Sequence, residues 1–179
     1  ERLNLNIAAR NLAFRGFLQR VISICQTLAY AHEQGVLHRD LKPDNIRLGE
    51  HGETVLLDWG LARELDTGAN AFDEEEVSIE QDQQQGSRTK IGSIYGTPQF
   101  MSPEQARSDG KPLTAAADIY GLGATFYYVL TGQPPFAKDS LSKITERVER
   151  GEFERPRVVC KDVPPPLEAI CLKAMQLIP

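Results

Sequence analysis

Cysteine is scarce in this sequence, and its uninterrupted apolar segments are short. The chain has three cysteines, Cys25, Cys160 and Cys171, which is an odd number with no C-x-x-C spacing. Neither a disulfide framework nor a zinc site is therefore indicated. The longest nearly continuous apolar run, 119–130, is too short to cross a bilayer, and residues 1–4 do not begin a signal peptide. We expect a reducing, cytoplasmic setting and no membrane contact within this segment, while a membrane anchor outside it stays open.

Positive charge is also limited. The 179 residues carry 20 Lys and Arg against 25 Asp and Glu, a formal net charge of -5. A surface that binds nucleic acid or anionic lipid needs clustered Lys and Arg, so we expect no nucleic-acid partner. The apolar content of 41% is sufficient for one compact core.

The first half of the chain predicts a helix, a hairpin and a polar loop. Apolar residues recur at three- and four-residue steps over 14–29 and include Phe14 and Ile22, which is typical of an amphipathic helix that ends at Gly35. Short apolar runs flank a polar, glycine-containing turn within 46–57, which predicts a β-hairpin. The acidic and glutamine-rich stretch 66–90 has too little apolar surface to offset the entropy of ordering, so we expect a mobile insert.

The second half predicts helices. Residues 114–130 are apolar on nearly every side, which indicates a helix in the middle of the core. Further helices are expected over 141–148 and 167–177. With few strands and no alternation of strand and helix, the fold class is mainly α, or α+β overall, with a small β-hairpin.

Several motifs follow one another in a fixed order. Residues 38–45 read His-Arg-Asp-Leu-Lys-Pro-Asp-Asn, 58–60 read Asp-Trp-Gly, 96–97 read Gly-Thr and 102–104 read Ser-Pro-Glu. This order resembles the second half of the protein-kinase signature, and the resemblance spans essentially the whole chain. It resembles serine/threonine kinases of the eukaryotic-like type, and residues 58–60 and 98–105 look most like those of bacterial members.

The resemblance implies a protein-kinase-like C-terminal lobe with the N-terminal lobe absent. No G-x-G-x-x-G loop and no Val-Ala-x-Lys strand precede the first helix. Residues 1–179 would be a partial kinase domain, with a catalytic loop at 38–45 and a metal-binding and activation segment at 58–104. We therefore expect a fragment of a longer gene product that is inactive alone.

Asn45 and Asp58 are candidate metal ligands. If 46–57 forms an antiparallel hairpin, these two residues lie side by side at its open end, and amide and carboxylate oxygens suit Mg²⁺. By resemblance, Asp58 binds the Mg²⁺ that bridges the phosphates of ATP and Asn45 holds a second ion. The alternative is that both residues merely cap a hairpin.

The resemblance assigns the chemistry to Asp40 and Lys42. Asp40 would be the base that orients a substrate hydroxyl, and Lys42 would offset charge on the transferred phosphoryl group of ATP. Thr97 would position substrate by hydrogen bonding to both. Lys42 in this context favours Ser and Thr hydroxyls of protein substrates over Tyr. The alternative is that these are solvated surface charges.

Four further residues are assigned structural roles by resemblance. His38 is expected to be packed and hydrogen-bonded. Trp59 replaces the usual Phe, and its indole N–H needs a partner. Asp118 would accept hydrogen bonds from the backbone of the catalytic loop, since an unpaired buried carboxylate is costly. Glu104 pairs in the family with an Arg from a later segment, and we expect it to lack that partner here.

Regulation is the last expectation. A phosphate on Thr89, or on Ser93 as second choice, would pair with Arg39 and order the segment before Gly96, unless these are ordinary loop hydroxyls. Two rival functions remain open: a pseudokinase or scaffold lobe that binds protein partners without catalysis, and a small-molecule phosphotransferase of kinase-like fold. Retention of Asp40, Lys42, Asn45 and Asp58 argues against the first rival. The second would share Asp40, Asn45 and Asp58 but should lack Lys42 in this context and the segment 96–104.

Overall fold

A computed structural model describes residues 2–59, 63–64, 97–107, 111–137 and 139–178. Six α-helices and four short β-strands occur in this part of the chain, together with two turns of 3₁₀-helix at Pro43–Asn45 and Pro98–Phe100. The elements follow in the order α1 Arg2–Glu33, β1 Val36–Leu37, β2 Ile46–Leu48, β3 Thr54–Leu56, β4 Arg63–Glu64, α2 Pro103–Arg107, α3 Ala115–Thr131, α4 Leu141–Arg150, α5 Pro156–Val159 and α6 Pro165–Ala174.

Part of what the sequence predicts falls on residues that the structure does not describe. These are Gly60, Gly96, the expected insert at 66–90, and the hydroxyl-bearing Thr89 and Ser93. The expectations for them remain predictions.

Helix α1 is longer than its apolar pattern indicates, and only part of the predicted apolar stripe is buried. Ile24, Leu28 and Ala31 are buried at spacings of four and three residues, whereas Ile22 is 46% exposed and Phe14 is 42% exposed. The expectation that Phe14 and Ile22 face the core was wrong. Ile24 and Leu28 pack on Leu41 and Leu56, while the partly buried Phe17 and Val21 pack against the cluster that contains Phe126.

The central helix is α3, as the sequence predicts. Its first amides are capped by Thr114, whose hydroxyl accepts from the N–H of Ala116 at 3.3 Å, and it ends at Gly132 in the left-handed region, φ 77°. The absence of a side chain at Gly121 lets α3 approach the 38–45 segment closely, since a Cβ there would lie 3.2 Å from the Cβ of Leu41. The motif segment thus rests directly on the core helix.

The later helices are confirmed with shifted ends. Helix α4 extends to Arg150, where Gly151 adopts φ 65° and caps it. Helix α6 begins at Pro165, two residues before the predicted start, and stops at Ala174. Prolines fit the first turn of a helix because their missing N–H groups have no intrahelical partner there.

The described residues also form two small antiparallel sheets. Strands β2 and β3 form the predicted hairpin, with Ile46 opposite Leu56 and Leu48 opposite Thr54. Strands β1 and β4 also pair, with Val36 opposite Glu64, which the sequence did not indicate. The architecture is mainly helical with small β-sheets. Within the described residues, no helix combines the length and apolar character needed to span a membrane.

Candidate active site

The carboxylate of Asp40 is the centre of a hydrogen-bonded cluster. Its Oδ2 accepts from Lys42 Nζ at 2.6 Å and from Asn45 Nδ2 at 3.2 Å, while its Oδ1 accepts from the backbone N–H of Thr97 at 3.2 Å. Asp40 is only 7% exposed. Because donors approach both oxygens, the carboxylate has one defined orientation.

Lys42 joins two segments that are distant in sequence. Besides Asp40, its ammonium contacts Thr97 Oγ1 at 2.9 Å, and its side chain keeps 20% of its surface exposed. The contacts among Asp40, Lys42 and Thr97 are those that the kinase resemblance implies. A cation therefore lies beside the carboxylate and remains accessible from solvent.

Asn45 and Asp58 lie together at the open end of the hairpin. The N–H of Leu57 donates to the carbonyl of Asn45 at 2.8 Å, so the residue before Asp58 is paired with Asn45 directly. The amide nitrogen of Asn45 also donates to the carbonyl of Asp40 at 2.8 Å, which directs the amide oxygen the other way.

The residues at this end of the hairpin fit a magnesium site. Asp58 is exposed and holds a left-handed conformation, φ 60°, which costs a non-glycine residue energy and is common at functional sites. Mg²⁺ is commonly held by one or two protein oxygens together with substrate phosphates and water. In the described part of the chain, no group of three or more His, Cys, Asp or Glu side chains could hold a metal ion; the donors available here are one amide and one carboxylate.

The backbone of the 38–45 segment is anchored to the core by Asp118. This side chain on α3 accepts from the N–H of His38 at 2.8 Å and from the N–H of Arg39 at 2.7 Å. Asp118 is almost fully buried, and Arg39 is in the left-handed region, φ 70°. Two charge-assisted hydrogen bonds therefore hold a strained turn immediately before Asp40.

His38 and Trp59 form the packed layer under the site. His38 is completely buried, and its Nε2 faces the carbonyl of Leu57 at 2.9 Å, so Nε2 carries the proton because a carbonyl only accepts. The rings of His38 and Trp59 are 4.7 Å apart between centroids. The indole N–H of Trp59 donates to the carbonyl of Leu56 at 3.2 Å, which supplies the partner that it needs.

Glu104 lies away from this cluster. It lines an apolar cavity of about 650 Å³ with Tyr120 and Ile119, and among the described residues no ion pair includes it. The hydroxyl of Tyr120 is buried and has no hydrogen-bond partner among the residues that the structure describes. Burial, and secondly the nearby carboxylate of Glu104, raise the pKa of Tyr120.

Sequence reasoning missed two side chains. His32 Nε2 donates to Asp118 Oδ2 at 2.8 Å, because only the carboxylate can be the acceptor. Gln105 Nε2 donates to the carbonyl of Arg39 at 2.8 Å. The expected buried carboxylate requires hydrogen-bond donors, but the sequence holds no signal that selects His32 for this role, and none for Gln105.

Replacing Asp118 with Ala is expected to loosen the turn that precedes Asp40. Each buried amide left without an acceptor costs about 1–3 kcal/mol, so the amides of His38 and Arg39 should exchange hydrogen about 10- to 100-fold faster. Hydrogen–deuterium exchange of the complete gene product measures this directly. Asp162→Ala, which removes an exposed carboxylate, is the control. Unchanged exchange at both amides in Asp118→Ala would contradict the anchoring role.

Comparison with known families agrees with this geometry. The family model described as protein kinase domain matches residues 12–178, nearly the whole chain. The chain therefore belongs to the protein kinase family.

Its relatives include bacterial serine/threonine kinases. The chain is 42% identical over 166 residues to serine/threonine-protein kinase PknD of Protochlamydia amoebophila, covering 89% of this chain and 16% of that protein. It is 35% identical to serine/threonine-protein kinase PknB of Mycolicibacterium smegmatis, covering 92% of this chain and 23% of that protein. PknD of Chlamydia caviae is 37% identical, with 91% and 17% covered. The chain thus spans less than a quarter of the length of these relatives, and they support a serine/threonine kinase of the eukaryotic-like type.

Proposed function

We propose that this chain supplies the phosphotransfer site of a serine/threonine protein kinase, which moves the γ-phosphate of ATP to Ser and Thr hydroxyls of proteins. The observation that carries the proposal is the single orientation of the Asp40 carboxylate, held by Lys42, Asn45 and Thr97. A site for phosphoryl transfer works mainly by positioning and by offsetting charge, and this cluster has the groups for both.

Asp40 acts on the acceptor hydroxyl in this proposal. One carboxylate oxygen accepts a hydrogen bond from the substrate hydroxyl, which orients the hydroxyl oxygen toward the γ-phosphorus. The carboxylate takes the hydroxyl proton as the new O–P bond forms, while the bond between the γ-phosphorus and its bridging oxygen breaks and ADP leaves. Lys42 stabilises negative charge on the phosphoryl oxygens in this proposal. Its ammonium lies 2.6 Å from Asp40 Oδ2, and a fixed cation beside the reacting groups stabilises charge that develops during transfer.

Asn45 and Asp58 would hold Mg²⁺ with the phosphates of ATP. The metal, when bound, neutralises phosphate charge during transfer. The hydrogen bond between the Leu57 N–H and the Asn45 carbonyl keeps the two side chains at the same end of the hairpin. This link supports a shared metal site rather than two unrelated hairpin caps.

The finer assignments belong to the same proposal. The chain is interpreted as the C-terminal lobe of the kinase domain, with 38–45 as the catalytic loop and 58–104 as the metal-binding and activation segment. Cytoplasmic action is supported by the free thiols of the chain, of which Cys25 is exposed, since exposed thiols persist in reducing compartments. Pairing of Arg39 with a phosphate on Thr89 or Ser93 remains a proposed form of regulation.

The test is metal-dependent transfer by the complete gene product. With ATP, Mg²⁺ and a general protein substrate, we expect phosphate on the substrate, and we expect none when a chelator removes Mg²⁺. Nucleotide binding without any transfer under these conditions would instead favour the pseudokinase alternative. Phosphorylation of small molecules with no protein product would favour the phosphotransferase alternative.

Lys42→Ala is expected to lower kcat by about 10- to 100-fold and to change the KM for protein substrate little. The reason is that a cation serving mainly the developing charge stabilises the transition state more than the bound substrate. Steady-state kinetics with Lys42→Arg as a charge-retaining control make the comparison. An effect confined to KM would assign Lys42 to substrate binding.

A further inference from the structure

Gln105 makes hydrogen bonds with both ends of its side-chain amide. Its Oε1 accepts from the backbone N–H of Ser102 at 3.0 Å, and the backbone N–H of Gln105 donates to Ser102 Oγ at 3.3 Å. This reciprocal pair is a capping box at the start of α2. The amide nitrogen is left for a second partner, the carbonyl of Arg39 at 2.8 Å.

The carbonyl that Gln105 holds belongs to the peptide group between Arg39 and Asp40. The N–H of the same peptide group donates to His38 Nδ1 at 3.4 Å. The carbonyl and the N–H of the peptide group between Arg39 and Asp40 are therefore both hydrogen-bonded to side chains. The preceding residue, Arg39, has φ 70°, a conformation that persists in a non-glycine residue only when its surroundings enforce it.

Glutamine is the residue that meets both requirements. A glutamate at this position would complete the capping box equally well, but it has no donor for the carbonyl of Arg39. An apolar side chain of similar length would lose both contacts. The capping box alone therefore does not account for the contact between Gln105 and the loop at 38–45.

We propose that Gln105 is a positioning residue that sets the peptide group before Asp40 and so couples helix α2 to the orientation of the Asp40 carboxylate. This rests on the proposed function of Asp40. Thr97 contacts the side chains of Lys42 and Asp40 at the site, whereas the side chain of Gln105 contacts the backbone carbonyl of Arg39. A displacement of α2 is transmitted to Asp40 along this link.

The test compares two variants that separate capping from positioning. Gln105→Glu keeps the acceptor for Ser102 and loses the donor for Arg39; Gln105→Met loses both. In the complete gene product, Gln105→Glu should lower kcat about tenfold with the KM for ATP unchanged. It should also accelerate hydrogen exchange of the Asp40 amide and leave the Ser102 amide as in the wild type. Gln105→Met should accelerate exchange at both amides.

Gln26→Glu makes the same chemical change on the exposed face of α1 and should alter neither kcat nor exchange. If Gln105→Glu has the kcat of the wild type and the same hydrogen exchange at the Asp40 amide, the proposal is overturned, and Gln105 acts only as a helix cap. The exchange measurement needs no turnover. If the wild type transfers no phosphate, the proposed function fails. Faster exchange of the Asp40 amide in Gln105→Glu would still establish the link between Gln105 and the peptide group before Asp40, and unchanged exchange would exclude it.

Discussion

Asp40→Asn should reduce kcat for protein phosphorylation by about 100- to 10,000-fold, the range over which positioned acid–base groups contribute. The substitution keeps the size of the side chain but replaces an oxygen with an amide group that cannot accept the hydroxyl proton. It also puts an NH₂ group among the donors Lys42, Asn45 and Thr97, so the orientation of the side chain is lost as well. The KM for ATP should change little, because Asp40 acts on the acceptor hydroxyl.

The measurement is steady-state phosphate incorporation with ATP and protein substrate varied separately. The control is Asp44→Asn, which makes the same change on a neighbouring aspartate that has no proposed chemical role. Turnover of Asp40→Asn within a factor of about three of the wild type would remove Asp40 from the chemical step.

Asp58→Ala should lower activity by at least about 1,000-fold, because a metal at a transferring phosphoryl group stabilises the transition state by several kcal/mol and each 1.4 kcal/mol is tenfold in rate. The loss should persist at saturating Mg²⁺ if the carboxylate is the principal protein ligand. Asp58 is exposed, so the fold does not depend on burying its side chain.

Asn45→Ala provides the graded comparison for this site. Asn45 would hold the second ion, so its loss should raise the Mg²⁺ concentration needed for half-maximal activity more than it lowers the maximal rate. Circular dichroism of both variants checks that the fold is retained. Full activity of Asp58→Ala at any Mg²⁺ concentration would show that this carboxylate is not the metal ligand.

The elements that the sequence predicted well are those whose pattern is local. The hairpin at 46–57 follows from two apolar runs around a polar turn, and its register places Asn45 and Asp58 at one end. Helix α3 is apolar on nearly every side, and Gly132 fixes its end. In each case neighbouring residues determine the structure, so periodicity and turn chemistry are sufficient.

What the sequence could not predict depends on contacts between distant segments. The face of α1 that is buried depends on contacts with distant residues, among them Leu41, Leu56 and Phe126, and the apolar stripe itself allows several choices. The pairing of Val36 with Glu64 joins two-residue strands, which are too short to have a period. The contacts of His32 with Asp118 and of Gln105 with Arg39 span 86 and 66 residues, and no local pattern indicates them.

The central claim is that Asp40 directs transfer of phosphate from ATP to Ser and Thr hydroxyls of proteins. Its most direct test is phosphoamino-acid analysis of a protein substrate after incubation with ATP, Mg²⁺ and the complete gene product, wild type or Asp40→Asn. The account predicts phosphoserine or phosphothreonine with the wild type, no phosphotyrosine, and a signal lower by at least about 100-fold with Asp40→Asn. Phosphotyrosine as the main product, no phosphorylated protein with the wild type, or equal phosphorylation by both proteins would contradict it.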